Sequence, residues 1–101
     1  MNIRIKQKDG LTYIQVYCDY CDKLIDKADM ALYTWDRIND GEESEIYILH
    51  KGLCDKAFHK EKRWKERSPW LELRVFPVYL GNNLNLKWEK AMEDVLWFSQ
   101  L

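Results

Sequence analysis

The chain opens on an alternating pattern. Ile3 and Ile5, then Tyr13, Ile14 and Val16, flank Lys8-Asp9-Gly10. Period-two alternation reads as half-buried strand, and Asp-Gly between two such runs signals a hairpin, so an opening β-hairpin ending at Tyr17 is predicted. Cys18-Asp19-Tyr20-Cys21 follows as a tight turn with a cysteine at each end. Ala31-Leu32-Tyr33-Thr34-Trp35 and Glu45-Ile46-Tyr47-Ile48-Leu49 are β-rich runs separated by the polar segment Asn39-Asp40-Gly41-Glu42-Glu43, which predicts a second hairpin. Residues 55–67 are mostly good helix formers, and Ser68-Pro69 stops them. In Trp70–Leu80, Leu71, Leu73 and Val75 alternate with charges as a strand would, while the Ser-Pro start and Gly81 stop favour a helix; helix is the reading taken, although Pro77 disturbs both. Trp88, Ala91, Met92, Val95, Leu96 and Ser99 then recur at spacings of three and four, predicting an amphipathic helix over 86–100 capped by Asn85.

Length limits these elements to one domain, 1–101, with a core over 14–67 and a helical extension over 68–101. No run approaches the roughly 18 apolar residues of a membrane span, and the start shows no basic block followed by an apolar one, so a soluble cytoplasmic protein is expected. The P-loop, GxSxG and HExxH patterns are absent, and with four glycines, at 10, 41, 52 and 81, a Gly-rich phosphate cradle is excluded. The formal charge of -1 conceals a dipolar distribution: residues 19–46 carry nine acidic and three basic side chains, residues 51–68 seven basic and three acidic.

Three cysteines cannot be consumed by internal disulfides. They find a use in Cys18-x2-Cys21, 28 residues, then His50-x3-Cys54. Three thiolates and one imidazole make the four soft or borderline donors that a structural Zn2+ takes at tetrahedral corners. A turn aims Cys18 and Cys21 the same way. His50 closes a strand, and Cys54 begins a helix whose N-terminal dipole favours a thiolate. Other uses stay open: His59 in place of His50 as ligand, a thioredoxin-like dithiol at Cys18/Cys21, or ordinary buried cysteines. Glu42, Glu43 and Glu45 could hold a hard ion, but a solvated loop accounts for them.

The order of a CxxC turn, a hairpin and a pair straddling a helix start resembles the treble-clef zinc fingers over about residues 14–67. The overall spacing is also similar to the fingers of poly(ADP-ribose) polymerase type and to the first half of LIM domains, from which His50-x3-Cys54 departs by one extra residue. This resemblance implies an α+β fold, a treble-clef finger carrying an N-terminal β-hairpin and a C-terminal helical extension, with Zn2+ on Cys18, Cys21, His50 and Cys54. Small bacterial or phage-borne zinc proteins are the nearest in type. Treble-clef nucleases of HNH type spend two or more histidines on a catalytic ion and base, whereas this chain has only His50 and His59. No catalytic residues are assigned and no enzyme is expected.

Two surfaces remain as candidates for binding. Lys56, Lys60, Arg63 and Arg67 share one face of the helix after Cys54, with Trp64 a turn from Lys60, a pattern that could track phosphates and stack on a base or merely be solvated. Against this stands a pI near 6.1. The other candidate is aromatic: five Trp and six Tyr exceed what one small core absorbs, and Trp97 lies off the apolar face of the last helix. The reading is therefore a zinc-stabilised protein-interaction or adaptor module, self-association included. Nucleic-acid binding through the 51–67 helix comes second and CxxC redox chemistry third.

Overall fold

The computed structural model describes residues 1–36, 41–62 and 69–98. The architecture is mixed α+β, with two three-stranded antiparallel sheets and three α-helices among the described residues. In the first sheet β1 (Asn2–Lys8) pairs with β2 (Leu11–Tyr17), and β2 with the two-residue β3 (Leu24–Ile25). The register is Ile3 to Val16, Ile5 to Ile14 and Lys8 to Leu11. A two-residue loop at Asp9-Gly10 is left, with φ of 53° and 77° at its two positions. Two successive left-handed residues make the turn whose twist matches that of the strands it joins, which is why Asp-Gly stands there.

The second sheet has β4 (Ala31–Trp35) at its centre, between β5 (Ile46–His50) and β6 (Trp70–Glu72). Ala31, Leu32, Tyr33 and Thr34 are all buried, so β4 requires partners on both edges. β6 supplies the second, with Leu32 opposite Glu72 and Thr34 opposite Trp70. This corrects the helical reading of residues 70–80: the chain runs as strand through Glu72, makes a 3-10 turn at Leu73–Val75, and becomes helical only in α2 (Phe76–Asn83). Pro77 lies in the first turn of α2, where its missing N–H costs no hydrogen bond. The segment after Pro69 thus begins by completing the central sheet before it turns helical.

Gly81 is interior to α2 rather than its stop. The indole of Trp88 lies over it so closely that a Cβ built there would meet ring carbons at 2.4 and 2.6 Å. Asn85 has a different role from the predicted one. At φ 55° it is the left-handed residue that ends α2, with the Leu86 N–H donating to the Gly81 carbonyl at 2.8 Å and the Asn85 N–H to the Asn82 carbonyl at 3.1 Å. That pair of bonds is a Schellman C-cap, and α3 (Trp88–Phe98) starts three residues beyond Asn85.

α1 (Leu53–Lys62) packs Phe58 on the central sheet. The predicted continuation of that helix over 63–67 and its Ser68 stop lie outside the described residues, as do residues 99 and 100 of the last helix. The core gathers Cys18, Ile25, Leu32, Tyr33, Ile48, Leu49, Phe58 and Leu73 with Ala31. Rings extend it outward: Phe76 tilts on Tyr33 at 4.9 Å between centroids, and Tyr47 on Phe58 at 4.8 Å. Trp70, Trp88, Trp97, Tyr13, Tyr20 and Tyr79 stay largely exposed, so the C-terminal helices do not bury the aromatic excess.

Candidate metal centre

Cys18 and Cys21 occupy the turn between β2 and β3. The Cys18 N–H donates to the Lys23 carbonyl at 2.9 Å and the Asp22 N–H to the Cys18 carbonyl at 3.0 Å, with Asp22 at φ 62° completing the reversal. His50 is the last residue of β5. Gly52, at φ 89°, turns the chain so that Cys54 lies in the first turn of α1. One donor atom from each of Cys18, Cys21, His50 and Cys54 lies within 4.8 Å of all the others. His50 Nδ1 is 3.4 Å from Cys21 Sγ and 3.8 Å from Cys54 Sγ. A tetrahedron with metal–sulfur bonds of about 2.3 Å and a metal–nitrogen bond of about 2.0 Å has edges of roughly 3.5–3.8 Å, so these separations need little adjustment to close on a metal ion.

The imidazole is prepared for that role. His50 Nε2 lies 3.1 Å from the Leu24 carbonyl, an acceptor only, so Nε2 carries the proton and Nδ1 presents its lone pair to the sulfurs. The thiols divide. Burial opposes the Cys18 thiolate, but the backbone N–H groups of Cys21, His50 and Tyr20 outweigh it and bring the group down to about 7. Burial pushes Cys54 up to about 12, reinforced by hydrogen bonds and charge from Cys21 and Cys18. Three sulfurs at this distance cannot all ionise without a cation among them, and a dication removes that repulsion.

The two halves of the cluster come from separate sheets, and Asp19 locks them together. Its N–H donates to the Ile48 carbonyl at 2.8 Å, and its carboxylate accepts the Ile48 N–H at 2.7 Å. The turn is thereby fastened to β5 two residues before His50. Tyr20 adds a second tie, its hydroxyl donating to Glu61 of α1 at 3.0 Å. Asp19 is a residue that the ligand spacing alone does not single out. The available signal was an Asp inside a tight turn, a residue type that bonds nearby backbone.

His59 stands outside the cluster. Its Nδ1 is 2.7 Å from the Asp55 carbonyl and 2.9 Å from the Asp55 carboxylate, and Nε2 faces Thr34 at 3.4 Å. Glu42, Glu43 and Glu45 form no carboxylate cluster among the described residues, and Glu45 accepts the Tyr47 hydroxyl at 2.7 Å. Lys56 and Lys60 are exposed on α1, while Arg63, Trp64 and Arg67 lie outside the described residues.

No known family, curated protein or solved structure matches this chain. Among the described residues, no helix is long and apolar enough to cross a membrane. The cluster of Cys18, Cys21, His50 and Cys54 is thus the feature with defined chemistry, and it is compatible with a metal ion.

Proposed function

We propose that this chain is a zinc-stabilised binding module of treble-clef type, whose work is to hold a partner protein. The observation that carries the reading is the four-donor cluster, its donor atoms all within 4.8 Å of one another, with a histidine tautomer set by the Leu24 carbonyl. Three thiolates and an imidazole suit Zn2+ over hard cations, and a fourth protein donor fills the corner that a catalytic zinc leaves to water. A cysteine-bearing turn between paired strands, a hairpin and a helix whose first turn brings the last cysteine support the treble-clef reading. The ion's contribution would be folding energy. Structural zinc binds finger peptides with about 10–16 kcal/mol, comparable to the whole net stability of a small domain at about 5–15 kcal/mol. The exposed aromatics, Trp97 among them, support partner binding as the activity.

The test is metal content. Protein purified without chelator is expected to hold one zinc per chain and to lose its thermal transition when a competing chelator strips the ion. A metal-free protein with an unchanged midpoint in excess chelator would overturn the reading. A pull-down comparing wild type with Trp97→Ala tests the binding half, which fails if the partner set is the same.

A further inference from the structure

The three sulfurs of the metal centre differ in what surrounds them. Cys18 is fully buried, whereas Cys21 and Cys54 are partly open to solvent. Cys18 is also the sulfur that the backbone holds. The Tyr20 N–H donates to its Sγ at 3.4 Å, and the N–H groups of Cys21 and His50 bond to it as well. A thiolate whose lone pairs accept N–H bonds is the weaker nucleophile. Cys54 has other neighbours, the sulfurs of Cys21 and Cys18 and the Nδ1 of His50 at 3.8 Å.

All these donor atoms lie within 4.8 Å of one another, so two sulfurs need approach by less than about 3 Å to reach the bond length of a disulfide. Distance therefore permits any of three pairings. Access and hydrogen bonding select one, because an oxidant from solvent meets Cys21 and Cys54 before Cys18, and Cys18 is the poorest attacking group of the three. A Zn2+ ion held by three thiolates and a neutral imidazole leaves a net negative charge spread over the sulfurs, which keeps them in the reactive thiolate form.

We propose that the metal centre is also an oxidation switch, in which a hydroperoxide joins Cys21 and Cys54 in a disulfide and the metal ion is released. The proposal rests on the reading of the cluster as a zinc site and names its regulation. The thiolate of either residue attacks an oxygen of the hydroperoxide, forming an S–O bond as the O–O bond breaks. The second oxygen leaves with the electron pair and takes a proton from water. The other thiolate then attacks the oxidised sulfur, forming the S–S bond and expelling hydroxide. The two sulfurs together give up two electrons, and the peroxide oxygens gain them. Cys18 and His50 remain as donors, too few to close a tetrahedral site. The disulfide ties the cysteine turn to the first turn of α1 in place of the ion, whereas a bridge between Cys18 and Cys21 would close on the turn itself.

The experiment treats the full, zinc-loaded chain with hydrogen peroxide. It reads the zinc released to a colorimetric chelator, the thiols remaining, and the disulfide identified by peptide mapping after alkylation. One zinc released for every two thiols lost is expected, with Cys21 bridged to Cys54 and Cys18 recovered in alkylated form. A dithiol reductant with added Zn2+ is expected to restore the zinc content. A bridge that includes Cys18 overturns the proposal, and so does zinc release that the reductant does not reverse. Zinc that stays bound while free cysteine under the same conditions is fully oxidised overturns it as well. Zinc content before treatment separates the two readings: a zinc-loaded protein that resists peroxide sinks the switch alone, and a protein without zinc sinks the metal centre and the switch together.

Discussion

Gly81→Ala sets two opposed effects against each other at the corner that positions α3. In a helix interior, alanine is favoured over glycine by roughly 0.5–1 kcal/mol, so the substitution alone would stabilise. The new methyl, however, would lie 2.4 and 2.6 Å from two carbons of the Trp88 ring and 3.2 Å from a Leu86 methyl. The backbone cannot yield easily, because the Gly81 carbonyl holds the Schellman bond to Leu86. Trp88 must therefore lift away. The ring is 42% exposed, and raising it would return about 60–80 Å2 of apolar surface to water, or roughly 1.5–2 kcal/mol at 25 cal/mol per Å2. The 3.4 Å bond from the indole N–H to Asn82 would also break. The net cost is about 1 kcal/mol, or a fall of about 4–8 °C in Tm for a domain of this size. Thermal unfolding followed by circular dichroism reads it, with tryptophan fluorescence reporting ring exposure. Trp88→Leu alone should destabilise, but adding Gly81→Ala to it should then raise Tm, because the methyl meets no indole. A Gly81→Ala protein at or above the wild-type midpoint would refute the packing assigned to this corner.

Asp19→Ala should cost about 1–3 kcal/mol, since it leaves the N–H of the buried Ile48 without its acceptor, and should weaken metal binding on the order of tenfold by freeing the cysteine turn from β5. Asp19→Asn keeps an acceptor oxygen and should lose less; equal losses in a competitive zinc titration would count against the positioning role. Metal binding to the stripped protein should release protons in a pH-dependent number. Cys54, at about 12, gives up its proton throughout pH 6–9, whereas Cys18, at about 7, contributes fully only below that value and ceases to contribute as pH rises through it. Calorimetry in buffers of different ionisation enthalpy measures the number, and a count constant across that range would contradict the division of the thiols.

Local chemistry was legible wherever it is set by neighbours in the chain. The Asp-Gly turn reveals its hairpin because two adjacent residues can adopt left-handed φ. The four converging donors were legible because a metal demands particular donor types, and with three cysteines and two histidines there were few ways to supply a candidate set. The stretch from Trp70 to Asn85 was misread for the opposite reason. Alternation in Leu71-Glu72-Leu73 has meaning only once β4 is known to lack a partner on its second edge, and β4 is more than thirty residues away. Gly81 and Asn85 carry the usual punctuation residues, but punctuation does not say which of two adjoining helices it belongs to. A ring packed over Gly81 and a pair of hydrogen bonds decided that.

By itself, then, the sequence determined the opening hairpin, the paired runs at 31–35 and 46–49, the helices after Cys54 and at the C-terminal end, and the set of candidate metal donors, each of which depends on residue type and short spacing. Only the tertiary structure decided how β5 and the cysteine turn are bound together through Asp19, why β6 joins the central sheet, and which apolar faces the chain leaves outside its core. Those outcomes depend on surfaces brought together from distant segments, and no local pattern encodes whether a hydrophobic face meets its own chain or solvent.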